Sequence, residues 1–172
     1  MDDLRALIRD VPDFPEPGIV FKDIAPLLGD AAALDRSLDL MASGHRDQGI
    51  THVAGIESRG FILATPVATR IGAGFIPIRK PGKLPWKTVA RTYDLEYGSD
   101  AIEAHADAVG PGDSVLIVDD VLATGGTAAA AVGLMKDLGA EVVGVTVLIE
   151  LALLGGRNKI DVPIRAVMVF ED

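Results

Sequence analysis

The sequence contains several short apolar runs that are continuous rather than alternating, and this pattern constrains the fold most. Continuous apolarity is typical of strands covered by protein on both faces, as in parallel sheets. Helix-length stretches at residues 61–71 and 127–138 lie between them. The predicted strands are residues 52–56, 74–78, 114–118, 140–148 and 164–170. We therefore predict an α/β fold with a twisted, mostly parallel sheet flanked by helices.

Length, charge and cysteine content exclude several classes of protein. The chain has 172 residues, which fits a single domain over residues 1–172. Its 16 basic and 25 acidic residues give a formal net charge of -9. A broad nucleic-acid-binding face is therefore disfavoured, because each phosphate contact needs a Lys or Arg. The chain has no cysteine, which excludes disulfides, cysteine-ligated metals and a thiolate nucleophile.

The sequence predicts neither membrane insertion nor export. No uncharged apolar run approaches the ~20 residues needed to span a bilayer. The first residues, MDDLR, lack the charge pattern and the long apolar stretch of a secretory signal. We expect a cytoplasmic protein that binds neither membranes nor nucleic acid.

The strongest chemical signal is the segment VLIVDDVLATGGT at residues 115–127. Its apolar strand brings Asp119 and Asp120 to the carboxyl edge of the predicted sheet, where open α/β sheets bind ligands. Ionised carboxylates accept hydrogen bonds from sugar hydroxyls. The small residues that follow can present backbone N–H groups at a helix start, which suits a phosphate. We predict a sugar phosphate here, with the loop residues Ala123, Thr124, Gly125, Gly126 and Thr127.

Three other interpretations of the glycine-containing segments fail. Residues 115–127 lack the Gly-Lys-Ser/Thr end of a Walker loop. Gly72 and Gly74 are not followed by the third glycine of a dinucleotide fingerprint, because that position is Pro77. A hydrolase elbow around Ser58 would need glycine at the position of Ile56.

Two segments do not fit the alternation of strands and helices. Residues 1–30 are too rich in proline for a helix and too apolar for a disordered tail, which predicts an ordered cap on the core. Residues 79–91 contain five Lys or Arg and no acidic residue, among Pro, Gly and Trp. This composition predicts a mobile basic loop between strands, suited to a highly anionic partner such as a diphosphate.

Residues 115–127 resemble the phosphoribosyl-diphosphate (PRPP) motif of the type I phosphoribosyltransferases. Further stretches are similar to the adenine-specific members of that family, in the family's order. They are FPEPGIVFKDI at 14–24, GIESRGF at 55–61, IRKPGKLP at 78–85, LEYG at 95–98 and ELALLGGR at 150–157. The resemblance covers nearly the whole chain and implies a single-domain type I phosphoribosyltransferase fold. It makes residues 1–30 a base-binding hood segment and residues 79–98 a flexible catalytic loop.

The resemblance also implies a reaction, the transfer of a 5-phosphoribosyl group from PRPP to adenine, giving AMP and diphosphate with Mg²⁺. Arg59 would contact the diphosphate, and Arg79, Lys80 and Lys83 would add cationic donors when the loop closes. No residue is assigned as a direct metal ligand, because Mg²⁺ would be held mainly by PRPP, diphosphate and water. In the family the equivalent of Arg79 reaches a neighbouring subunit's site, which implies a homodimer.

By the same resemblance, Glu96 is the catalytic residue that exchanges a proton with the imidazole side of adenine. The base itself would lie among Val20, Phe21, Lys22 and Leu151. Backbone groups of the first three would read its edge, and the Phe21 ring and Leu151 would cover its faces. Taken without the resemblance, Phe21 and Leu151 fit plain core packing.

Two alternatives remain for this sequence. A transferase for hypoxanthine, guanine or xanthine would share the fold, but residues 14–24 and 95–98 argue against it. A regulator could use the same fold to sense PRPP without catalysis. The chain has no appended basic helix-turn-helix, and its acidic charge opposes DNA contact.

Overall fold

The computed structural model describes residues 2–94 and 98–171. Strands and helices alternate through most of this range. In chain order the elements are α1 (Asp2–Arg5), β1 (Arg9–Pro12), β2 (Val20–Asp23), α2 (Ala25–Gly29), α3 (Ala31–Ala42), β3 (His52–Ile56), α4 (Arg59–Ile71), β4 (Gly74–Ile78), β5 (Thr88–Asp94), β6 (Ser99–His105), β7 (Ser114–Leu122), α5 (Gly126–Asp137), β8 (Glu141–Leu151) and β9 (Ile164–Phe170). Two short 3₁₀ turns, Ala152–Leu154 and Gly156–Lys159, connect β8 to β9.

A five-stranded sheet forms the centre of the molecule, in the order β4-β3-β7-β8-β9. All of its neighbouring strands are parallel, which confirms the predicted α/β class. Strands β3, β4 and β9 have the predicted bounds, whereas β7 and β8 continue for several residues beyond theirs. Asp119 consequently lies within the ladder, opposite Val147, rather than after the strand.

Both faces of the sheet are covered, as the continuous apolar runs predict. Val115 and Ile117 of β7 belong to a core cluster with α5 and the β5–β6 hairpin. Leu116 and Val118 point the other way, into a cluster with α3 and α4. Because successive strand residues face opposite sides, a strand buried on both faces must be apolar at every position.

The first thirty residues differ from the sequence prediction, because they contain helices despite their prolines. Helix α2 begins at Ala25 and carries Pro26 in its first turn, where the missing N–H has no intrahelical partner to lose. Strands β1 and β2 form a small antiparallel sheet, with Val11 opposite Phe21. The segment is therefore ordered, as expected, but by local secondary structure.

Part of the expected basic loop is also a strand. Thr88–Asp94 pairs with Ser99–His105 in an antiparallel two-stranded sheet, and an isolated bridge joins Arg79 to Glu103. Within residues 79–91, the stretch 80–87 belongs to no strand and connects the Arg79 bridge to β5. The expected flexibility of residues 79–98 stays a prediction.

The topology brings two helix starts to one edge of the sheet. Strands β3 and β7 are neighbours, and α4 and α5 follow them closely at the carboxyl edge. Helix starts carry partial positive charge and free N–H groups, so this edge suits an anionic ligand. None of the helices in the described residues is both long enough and apolar enough to cross a membrane.

Candidate functional site

A cavity of about 530 Å³ opens at the carboxyl edge of the parallel sheet. Hood strand β2, the loop after β3, the end of β7 and the end of β8 form its walls. Ten of the sequence-predicted site residues line it: Val20, Phe21, Lys22, Arg59, Lys80, Asp119, Asp120, Ala123, Thr127 and Leu151. The fold thus brings together residues that are up to 131 positions apart in the sequence.

A smaller cavity of about 100 Å³ lies against the loop between β7 and α5. It is lined by the remaining predicted loop residues, Thr124, Gly125 and Gly126, and shares Asp119, Ala123 and Thr127 with the larger cavity. Arg79 and Lys83 line neither cavity. Glu96 lies outside the described residues.

Asp119 and Asp120 have different surroundings although they are adjacent. Asp120 is buried and forms an ion pair with the guanidinium of Arg59. Asp119 accepts a hydrogen bond from the backbone N–H of Asp120 at 2.9 Å. Burial, together with the neighbouring Asp120, raises the pKa of Asp119 well above its ordinary value. The carboxyl group of Asp119 therefore takes up a proton more readily than that of an exposed aspartate.

The start of α4 approaches Asp119 so closely that only glycine fits there. A Cβ atom on Gly60 would lie 2.7 Å from Oδ1 of Asp119. Arg59, one residue earlier, reaches across to Asp120, and its guanidinium carbon lies 4.9 Å from the centre of the Phe21 ring. Arg59 thus connects the floor of the cavity to the hood strand.

Lys22 lines the cavity, but its ammonium group interacts with residues of β1 and β9. Its ammonium lies 2.9 Å from Oδ1 of Asp10 and 4.7 Å from the centre of the Phe170 ring, and the residue is 7% exposed. Arg5 lies over the same ring, with its guanidinium carbon at 4.3 Å from the centre. The Lys22 side chain therefore holds β2 against the last strand.

The loop between β7 and α5 is shaped by contact between two glycines. Gly125 has a φ of +79°, a left-handed conformation that favours glycine. A Cβ atom on Gly125 would lie 2.3 Å from the carbonyl oxygen of Gly156. A Cβ atom on Gly156 would lie 2.2 Å from the carbonyl oxygen of Ala123. Backbone thus packs directly on backbone. This contact fixes the course of the loop that lines the smaller cavity.

Glu150 and Arg157 hold the Gly156 turn in place. Arg157 Nε and Nη2 donate to the two carboxylate oxygens of Glu150 at 2.6 and 2.7 Å. The Glu150 side chain is 7% exposed and the Arg157 side chain 45%, so water reaches this two-point ion pair from the Arg157 side. The sequence analysis quoted this stretch for its resemblance but gave neither residue a role. The available signal was the pair of opposite charges at the two ends of the uncharged stretch 151–156.

Each predicted diphosphate ligand of the basic segment forms an ion pair within the chain. Glu57 accepts from Arg79 Nε at 2.8 Å and from Lys83 Nζ at 2.7 Å. Lys80 pairs with Asp100. Burial alone would raise the pKa of Glu57, but the hydrogen bonds from Lys83 and Arg79 lower it below its ordinary value. Sequence reasoning missed Glu57, whose only signal was its position beside Ser58 and Arg59.

Comparison with known proteins assigns this arrangement to a family. Residues 28–170 match the model of the phosphoribosyl transferase domain. The chain is 58% identical to the adenine phosphoribosyltransferase of Thermobifida fusca, over 92% of this chain and 91% of the relative. The crystal structure of adenine phosphoribosyltransferase from Rhodothermus marinus is 52% identical and superimposes with a TM-score of 0.94, over 98% of this chain and 97% of that chain. The Saccharomyces cerevisiae enzyme, solved with adenine and a dideoxy-imino-altritol bisphosphate, is 36% identical with a TM-score of 0.91, over 96% of this chain and 97% of that chain.

Gly156→Ala should destabilise the folded protein by about 1–3 kcal/mol, because the added methyl overlaps the Ala123 backbone. The free energy of unfolding from urea titration measures this. Gly29→Ala is the matched control, since a Cβ on Gly29 has open space around it. Equal stability of the two variants would contradict the close contact of the loop with the Gly156 turn.

Glu57→Gln should lower the free energy of unfolding at pH 7 and have a smaller effect in acid. A carboxylate with a lowered pKa stabilises the fold above its ordinary value of 4.5 and loses this contribution as the pH falls through the lowered value. The difference between parent and variant should therefore shrink below about pH 4.5. Urea titrations at a series of pH values measure it. Asp161→Asn, which breaks the exposed pair with Lys136, should cost less at pH 7.

Proposed function

The chain belongs to the adenine phosphoribosyltransferase family, and we propose that its larger cavity binds adenine and PRPP next to each other and joins them. The reaction transfers the 5-phosphoribosyl group of PRPP to adenine and gives AMP and diphosphate, a step of purine salvage. One observation carries the proposal. Asp119, Asp120 and two residues of the glycine loop, Ala123 and Thr127, line the same cavity as the hood residues Val20–Lys22.

The sugar phosphate fits the side of the cavity formed by β7 and α5. The phosphate group would bind the N–H groups of residues 123–127 at the start of α5, in the smaller cavity. The ribose hydroxyls would meet Asp119 and Asp120. The carboxyl oxygens of both residues would accept hydrogen bonds from these hydroxyls.

The diphosphate would bind Arg59 and Lys80, which line the larger cavity, and Arg79 and Lys83 would join them when the loop closes. Each of these cations is held in position by a carboxylate in the structure, and the diphosphate would add a second anionic partner. Departure of diphosphate leaves positive charge at the anomeric carbon of the ribose. Donors that stabilise the leaving group's negative charge lower the barrier to this step.

Adenine fits between the hood and the end of β8. Phe21 and Leu151 both line the cavity and supply apolar surfaces for a flat ring. Backbone groups of Val20–Lys22 would read the edge of the base, since the Lys22 ammonium is engaged by Asp10. Glu96 would take up the proton that adenine loses when its ring nitrogen bonds to the ribose.

The donor groups at the site fit Mg²⁺ as an ion held mainly by the substrate. Within residues 2–94 and 98–171, no group of three or more acidic or histidine side chains could enclose a metal ion. Mg²⁺ usually keeps several waters and binds one or two carboxylates plus substrate phosphates. Asp119 and Asp120 supply two carboxyl groups beside the cavity. When bound, Mg²⁺ would offset negative charge on the diphosphate.

A homodimer and a cytoplasmic location complete the proposal. The dimer rests on the family resemblance, in which the equivalent of Arg79 reaches the neighbouring subunit's site. In the structure Arg79 binds Glu57 of its own chain, so reaching a partner would require Arg79 to leave this ion pair. The cytoplasmic location rests on the amino-acid sequence.

The protein should form AMP from adenine, PRPP and Mg²⁺, and should leave guanine, hypoxanthine and xanthine unused. The measurement is AMP or other nucleotide formation, with each base incubated separately. Turnover of guanine but not adenine would contradict the proposed base. Tight PRPP binding without consumption of any base would favour a regulator instead.

Glu96→Gln should lower kcat by about 10²–10⁴-fold, the usual contribution of a proton-transferring side chain, with a much smaller effect on PRPP binding. Asp119→Asn should instead weaken PRPP binding, because its contacts to ribose exist before the reaction. Steady-state kinetics in both substrates and direct PRPP titration separate these effects. An unchanged kcat for Glu96→Gln would remove Glu96 from the mechanism.

A further inference from the structure

The hydroxyl of Tyr93 connects its own strand, β5, to three other segments around the proposed PRPP site. It accepts hydrogen bonds from Lys80 Nζ at 3.0 Å and from Thr127 Oγ1 at 3.2 Å, and it donates to Asp100 Oδ2 at 3.2 Å. A phenolic hydroxyl has one donor and two acceptor positions, so these three bonds use its full capacity. The partners come from the segment after β4, the start of α5 and strand β6.

Packing fixes the position of this hydroxyl. The Tyr93 ring is half-buried against the core cluster on the α5 side of the sheet. The Lys80 ammonium lies 5.5 Å from the ring centre, near enough for a cation–π attraction. Strand β5, which carries Tyr93, pairs with β6 along its whole length, with Tyr93 directly opposite Asp100.

Charge explains why Lys80 stays in this cluster. The Lys80 hydrogen bond lowers the pKa of Asp100. Burial alone would lower the pKa of Lys80, but the bonds to Asp100 and Tyr93 raise it above its ordinary value. Both groups are therefore charged at neutral pH, and the Tyr93 hydroxyl supplies a second acceptor for the ammonium.

We propose that Tyr93 is a positioning residue that holds Lys80 and Thr127 together at the PRPP side of the cavity. Thr127 lines both cavities and Lys80 lines the larger one, whereas Tyr93 lines neither. Tyr93 therefore acts on PRPP through these two residues. This inference rests on the proposed function, which assigns Lys80 to the diphosphate and Thr127 to the phosphate loop.

The test is Tyr93→Phe, which keeps the ring and removes only the hydroxyl. PRPP should bind about three- to tenfold more weakly in a direct calorimetric titration with Mg²⁺, the range expected for losing hydrogen bonds of ordinary strength. KM for PRPP should rise by the same factor. KM for adenine should change by less than about twofold, because the partners of the Tyr93 hydroxyl, Lys80, Asp100 and Thr127, lie outside the hood. General damage to the fold would not affect one substrate selectively.

Ser43→Ala is the matched control. The Ser43 hydroxyl also accepts from a cation, Arg165, and donates to a backbone oxygen, but it lines neither cavity. It should leave both KM values unchanged. If thermal melting shows Tyr93→Phe to be unfolded, Asp100→Asn takes its place and should show the same PRPP-selective loss.

A double-mutant cycle with Thr127→Val tests the link itself. If Tyr93 acts through Thr127, the double variant should lose less PRPP affinity than the product of the two single losses. The inference would be overturned if Tyr93→Phe bound PRPP as tightly as the parent. It would also be overturned if the loss of PRPP affinity in the double variant equalled the product of the two single losses. PRPP binding is measured without turnover. A parent protein that binds PRPP but forms no AMP would therefore refute the proposed function and leave the inference about Tyr93 standing.

Discussion

The balance of charge around the cavity is the constraint on which the site depends. Cations collected near one ligand repel each other, and burial makes each of them costly unless an acidic group is close. Here each predicted diphosphate ligand has a carboxylate partner. The pairs are Arg59 with Asp120, Arg79 and Lys83 with Glu57, and Lys80 with Asp100. These acids hold the cations in defined positions, so less side-chain freedom remains to be lost when an anion binds.

The sheet and the ligand edge could be predicted because they follow from local patterns. Continuous apolar runs predict strands buried on both faces, and β3, β4 and β9 have the predicted bounds. The segment around Asp119 and Asp120 predicts a ligand at the carboxyl edge, and the structure has a cavity there. The extra length of β7 was not predictable, because it comes from pairing with β8, where Leu122 lies opposite Glu150. No pattern within residues 114–122 reports that partner.

The missed residues act through partners that are distant in the sequence. Glu57 meets Arg79 and Lys83 only because β3 and β4 are neighbours, and Tyr93 meets Thr127 only because the β5–β6 hairpin packs on α5. The proline content of residues 1–30 predicts that this segment contains no helix, because proline disfavours helix interiors. Pro26 lies in a first turn, where that objection does not apply. Local patterns and the family resemblance thus predicted candidate site residues, while long-range pairing determines how those residues are supported.

The contact between Gly125 and Gly156 has a consequence for redesign of the site. The two turns touch through main-chain atoms, so the course of the loop does not depend on the side chains of Ala123 and Thr124. Libraries that vary those two positions, with both glycines and the Glu150–Arg157 pair retained, would alter the chemistry facing the ligand on an unchanged backbone. The proposed adenine-binding wall, built from β2 and Leu151, could be varied separately.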